Sequence, residues 1–225
     1  MENYRMYRHV KLINEKTYHI CTKSIAGYKI FNNDQEFQRM FALIRYYQLQ
    51  SIPLRFSHFI ETVGVEGFHQ RFDAIANSYE KNIRIIAYCL MPTHIHFVIE
   101  QIIEDGISRF MANILNSYAK YFNLRHKRRG PLWEGRFKSI FVETDEQLLH
   151  LTRYLHLNPV TAGLVRKPEQ WTYSSYFEYV RMTDKKMICD YQHLIDIHRI
   201  DYKKFVEDQI NYQRELAFIK HLMLD

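Results

Sequence analysis

His94 and His96 stand one residue apart in the run Ala87-Tyr88-Cys89-Leu90-Met91-Pro92-Thr93-His94-Ile95-His96-Phe97-Val98. Residues i and i+2 of a strand share a face, so the two imidazoles would lie side by side on an otherwise apolar element, as half of a divalent-metal site. Downstream, Tyr154 and Asn158 are four residues apart in Arg153-Tyr154-Leu155-His156-Leu157-Asn158-Pro159-Val160, which puts a phenol and a carboxamide on one helical face. A metal half-site and a nucleophilic tyrosine are the chemistry on offer. Each has an ordinary counterpart. An isolated His-x-His pair is more often structural, one of 17 tyrosines is more often a packing residue, and asparagine before proline is a common helix end.

The charge pattern supplies a second signal. The chain carries a formal charge of +6, and Lys120, Arg125, Lys127, Arg128, Arg129, Arg136 and Lys138 are opposed in their stretch only by Glu134. A local field of that kind suits a polyanion. Trp133 and Phe137 are interleaved with it, and aromatics beside guanidinium groups can stack unpaired bases while cations hold phosphates. Gly130 to Gly135 does not form a nucleotide-binding loop, because Arg136-Phe137 stands where such loops carry Lys-Ser/Thr.

At 225 residues and 47% hydrophobic content, the chain can bury one ordinary core with a small appendage. Cys21, Cys89 and Cys189 are too far apart for a metal knuckle, and their odd count argues against a complete disulfide framework, which fits a reducing compartment. Residues 1–8 lack the apolar core of a secretory signal and no run is long enough to span a bilayer, so the expected location is cytoplasmic, without membrane partners.

Seven elements must position these residues. β-Formers at 17–24 predict a first strand, and Asn33-Asp34 can cap a helix with Phe37, Met40, Phe41 and Ile44 on its apolar stripe. Segments 83–90 and 94–100, joined by Met91-Pro92-Thr93, predict an antiparallel hairpin. A helix over 107–124 follows, then the basic loop, a strand over 137–143, and a helix from 145 to 157 with Asp145 and Glu146 in its first turn. This β-α-β-β-α-β order, followed by a helix, predicts an α+β fold, a ferredoxin-like antiparallel sheet with helices on one face and the other face left for a ligand. A mostly helical insertion is expected at 48–82, with peripheral helices over 173–182 and 191–222. The expected organisation is a domain over 1–180 and a C-terminal helical extension over 181–225.

Four runs together resemble a known family: Ala87 to His96; Gly130-Pro131-Leu132-Trp133-Glu134-Gly135-Arg136-Phe137-Lys138; Tyr154-Leu155-His156-Leu157-Asn158-Pro159-Val160-Thr161-Ala162-Gly163-Leu164-Val165; and Trp171-Thr172-Tyr173-Ser174-Ser175-Tyr176. In that order they resemble the single-tyrosine HUH transposases, in the REP-associated tyrosine transposase branch. The resemblance implies an enzyme that cleaves and rejoins single-stranded hairpin DNA through a 5′-phosphotyrosine, for DNA transposition. It implies Tyr154 as the nucleophile, His94 and His96 as ligands of Mg2+ or Mn2+, and Asn158 as a polar third ligand. Arg125, Lys127, Arg128, Arg129, Trp133, Arg136 and Lys138 are the expected DNA contacts, and a homodimer is left open. Thr93 departs from the family's usual Asn or Asp, and the 48–82 insertion is no part of its minimal domain. Two rivals are a domesticated hairpin-binding protein that no longer cuts and, more distantly, a small-substrate metallohydrolase.

Overall fold

A computed structural model describes residues 11–50, 52, 54–180 and 187–212. Strands β1 (Thr17–Lys23), β2 (Ile83–Met91), β3 (His94–Gln101) and β4 (Lys138–Phe141) form one sheet in the order β2-β3-β1-β4, with all three neighbouring pairs antiparallel. The helices are α1 (Asp34–Tyr47), α2 (Phe56–Ala76), α3 (Gly106–Arg125), α4 (Asp145–Thr161), α5 (Tyr176–Val180) and α6 (Arg199–Glu207). The α+β ferredoxin-like order read from the sequence is the order observed.

Local chemistry explains the main boundaries. The Asn33 side chain accepts the Glu36 backbone N–H at 3.2 Å, and Thr144 accepts that of Gln147 at 3.1 Å, each satisfying an orphan donor of a first helical turn. Met91 pairs with His94, so only Pro92 and Thr93 are left to turn the hairpin. Within 48–82, α2 is helical on both sides of Gly64, whose φ of 72° breaks its regularity.

Side-chain alternation sorts the strands between two apolar layers. Tyr18, Ile20, Ile85, Tyr88, Leu90, Ile95, Phe97 and Ile99 pack with α1, α2 and α3. On the opposite face, Ile86, Ala87, Cys89, Met91 and Val98 pack with α4, α5 and α6. A bulge between Ile85 and Ala87 adds one residue to β2 and lets Ile86 join this second layer. The expectation that helices occupy one face only is therefore corrected. The second face is apolar over β2 and at Val98 of β3 and must be covered there, whereas its β1 and β4 part carries His19, Cys21, Lys23, Lys138 and Ile140 and the start of β3 adds His94 and His96, all on that face by register.

The end of α4 also differs from expectation. The helix passes through Pro159 to Thr161, where the Gly163 N–H bonds the Val160 carbonyl and the Leu164 N–H bonds the Pro159 carbonyl, each at 3.0 Å. Gly163 has a φ of 69°, so this is a glycine-closed Schellman end. Burial of Pro159, and of Leu157 and Val160 in the second layer, outweighs the pre-proline penalty at Asn158. Farther on, 176–180 and 199–207 are helical while 191–198 is turn and irregular chain. Residues 1–10, 181–186 and 213–225 lie outside the described residues, and with them the start of the chain and the far ends of both expected C-terminal helices.

Candidate active site

The register of β1, β3 and β4 lays out a small grid beneath α4. His94 pairs with Lys23, His96 with Cys21, and Cys21 in turn with Lys138, while the next row holds Val98, His19 and Ile140. His94 and His96 are centroid to centroid 5.0 Å apart with nearly perpendicular planes. Tyr154 hangs over this grid from α4, its ring 5.9 Å from that of His96 and 6.4 Å from that of His19, edge-on to both. The structure therefore brings Tyr154, His94 and His96 of one chain together. Tyr154 stays 45% exposed, open to a large substrate.

Both candidate metal ligands are prepared in the same way. His94 Nδ1 lies 3.0 Å from the Thr93 hydroxyl, and His96 Nδ1 lies 3.0 Å from His19 Nε2. Each ring thus has Nδ1 engaged and Nε2 left over. Burial and nearby Lys23 lower the His94 pKa to about 4. Burial, with His94, His19 and Lys23 around it, lowers that of His96 to about 3. Neutral imidazoles are the form that binds a metal. Among the described residues no group of three or more His, Cys, Asp or Glu could hold an ion. Two neutral nitrogens with no protein carboxylate fit an open Mg2+ or Mn2+ site, whose other positions belong to water and substrate oxygens, better than a closed structural site.

The Tyr154 phenol resists ionisation. Burial and the proximity of Cys21 raise its pKa, opposed by a hydrogen bond with the Asn158 side chain. Asn158 thus addresses the phenol, one turn away.

The helix beneath Tyr154 is fixed from behind. His156 is fully buried, with Nδ1 2.7 Å from the Tyr202 hydroxyl and Nε2 2.7 Å from Ser175 Oγ. Tyr202 donates onward to Thr152 at 3.0 Å, and Ser175 Oγ accepts the Tyr88 backbone N–H at 2.9 Å. The Trp171 indole donates to the Leu90 carbonyl at 3.0 Å. The Trp-x-x-Ser-Ser segment therefore fastens α4, the helix that bears Tyr154, to β2.

The basic residues divide into two groups. Arg125 donates to Gln35 at 2.8 Å and pairs with buried Glu36 at 3.6 Å. Arg128 donates to Asn123, Gly130 and Pro131 and lies over the Tyr28 ring. Both shape the loop. Lys127, Arg129, Arg136 and Lys138 are exposed, and Lys138 borders the site through its pairing with Cys21. Trp133 donates its indole N–H to the Leu115 carbonyl at 3.0 Å and is half-buried, so its polar edge is committed to the protein. Sequence reasoning missed His19, Lys23 and His156. The alternation of β1 could have placed His19 and Lys23 on one face, but nothing in it points across to β3.

Among known proteins, residues 55–158 match the family model described as IS200-like transposases, a little under half of the chain. A sequence relative is a protein of Haemophilus influenzae (strain ATCC 51907 / DSM 11121 / KW20 / Rd) named as a REP-associated tyrosine transposase, 26% identical over 106 residues. That alignment takes in 43% of this chain and 60% of the relative, so the chain matches about three-fifths of the relative's length. A solved structure described as a REP-associated tyrosine transposase bound to a REP hairpin shares the fold, with a TM-score of 0.51 and 16% identity over 88% of this chain and 99% of that one. The resemblance to the REP-associated branch is borne out. No helix among the described residues is long and apolar enough to cross a membrane.

Proposed function

We propose that this chain is a single-tyrosine strand transferase that cuts and rejoins single-stranded hairpin DNA in transposition. The observation that carries it is the placement of Tyr154 over the His94–His96 pair within one chain, with the His96 and Tyr154 rings 5.9 Å apart. The hairpin substrate is supported by the structural neighbour's described ligand.

In the proposed step, Tyr154 Oη forms a bond to phosphorus as the bond to the 3′ oxygen breaks. The phenolic proton is lost, the departing oxygen takes up a proton, and the 5′ end stays on the protein as a phosphotyrosine. Reversal onto another 3′-hydroxyl rejoins strands with no external energy source. Asn158, by favouring the ionised phenol, helps remove that proton. A divalent cation held by His94 and His96 would supply charge neutralisation at the scissile phosphate. Exposed Lys127, Arg129, Arg136 and Lys138 would hold flanking phosphates, while Arg125 and Arg128 set the loop that presents them.

The test mixes the full chain, a labelled palindromic single strand and Mn2+, and resolves the products on a denaturing gel. A covalent protein–DNA adduct with the unmodified protein and none with Tyr154→Phe is expected, with hairpin binding retained by both. Binding without any adduct from the unmodified protein would favour the non-cutting relative.

A further inference from the structure

We infer that His19 is a positioning residue for the metal half-site, holding His96 in the ring orientation and tautomer that leave Nε2 for a cation; the inference rests on the reading of His94 and His96 as ligands. The two residues lie diagonally on neighbouring strands, since His19 pairs with Val98 and Cys21 pairs with His96. That diagonal lies within reach of long side chains on one face of an antiparallel pair. Their nitrogens are 3.0 Å apart, while the ring centroids are 5.3 Å apart and the planes differ by 16°. A face-to-face stack would bring the centroids much closer. The rings instead meet edge to edge, and the hydrogen bond sets both the distance and the plane of His96.

Such a bond admits two proton placements. With the proton on His96 Nδ1 and His19 Nε2 accepting, His96 Nε2 keeps its lone pair. With the proton on His19 Nε2, His96 must carry its own proton on Nε2 and cannot ligate through that atom. A cation therefore selects the first arrangement, and His19 is the acceptor that makes it available, as the partners of ligating histidines generally do. Thr93 occupies the same station beside His94, with its hydroxyl 3.0 Å from Nδ1. The two rings are thus held at corresponding atoms by unrelated residues, one from the hairpin turn and one from β1. A half-buried histidine in the row between Val98 and Ile140 gains a role from this contact.

The experiment titrates Mn2+ into the DNA-free full-length protein by calorimetry and counts coordinated nitrogens by pulsed EPR, with circular dichroism to establish that each variant is folded. Tight binding by the unmodified protein, its loss in His96→Ala, and a weakening of roughly tenfold or more in His19→Ala are expected. His19→Gln, whose amide oxygen can accept from His96 Nδ1–H, should recover most of the affinity and is the variant to rely on if His19→Ala fails to fold. Two nitrogens on the ion are expected. Equal Mn2+ affinity in folded His19→Ala and unmodified protein overturns the inference and leaves the metal site standing. A third histidine nitrogen on the ion would make His19 a ligand and also overturns it. If the unmodified protein binds no Mn2+, the reading of the His94–His96 pair itself falls.

Discussion

Acidification should loosen this protein through His156. That residue is completely buried between α4, Ser175 and Tyr202, and burial lowers its pKa to about 3 from an ordinary 6.5. The unfolded chain protonates this histidine below about pH 6.5 while the folded chain does not, so unfolding takes up a proton and stability falls as pH drops between those two values. Moving from about pH 7.5 to about pH 5 should remove about 2 kcal/mol through this group alone, at about 1.4 kcal/mol per pH unit below its unfolded pKa. For a chain of this size that corresponds to a fall in Tm of about 4–8 °C. Other buried imidazoles contribute in the same direction, so His156→Gln serves as the comparison, because glutamine retains hydrogen-bonding capacity and cannot titrate. Urea unfolding followed by tryptophan fluorescence at both pH values gives the result. The variant should be the less stable at neutral pH, and its deficit should shrink by about 2 kcal/mol in acid. A deficit independent of pH, or a His156 ring that titrates near pH 6.5 in the folded protein by NMR, would refute the reasoning.

Replacing His94 and His96 together with alanine should abolish adduct formation and remove any response to Mn2+, and a chelator should do the same to the unmodified protein; adduct formation that survives chelation sinks the metal-assisted reading. Hairpin affinity should fall with salt, and the slope should flatten by about one unit of log Kd per log salt for each of Lys127, Arg129 and Lys138 changed to alanine. Arg125→Ala should instead show itself in a lower Tm, since its partners are Gln35 and Glu36; a pure salt-slope effect with unchanged Tm would reverse that division. Gly106→Ala should destabilise by about 1–3 kcal/mol, because the overpacked Cβ forces the backbone to move. That Cβ would sit 2.4 Å from the Asn82 carbonyl oxygen, and a thermal melt unchanged from the unmodified protein would contradict the packing described.

What could be read in advance was local. The His94–His96 hairpin was legible because two strand-like runs flank a turn, and α4 was legible because an acidic first turn precedes an apolar stripe. The end of α4 was not: Asn158-Pro159 reads as a stop, and only the Schellman closure at Gly163 and the buried Leu157 and Val160 carry the helix past it. Neither were the contacts that set up the site. His19 meets His96 across 77 residues of sequence and His156 meets Tyr202 across 46, and no periodicity encodes such pairings. The covered half of the sheet was missed for a similar reason, since apolar residues in β2 do not declare which helix will cover them.

The brace behind Tyr154 has a consequence for the order in which the protein is made. Tyr202 lies 46 residues after His156, so at about 5–20 residues per second the helix bearing Tyr154 leaves the ribosome roughly 2–9 seconds before the tyrosine that secures it. The sheet with His94 and His96 is already synthesised by then, and Ser175 comes in the interval. A nascent chain therefore carries Tyr154, His94 and His96 before α6 can brace α4, so under the proposed function the groups that would react are made before they are held still.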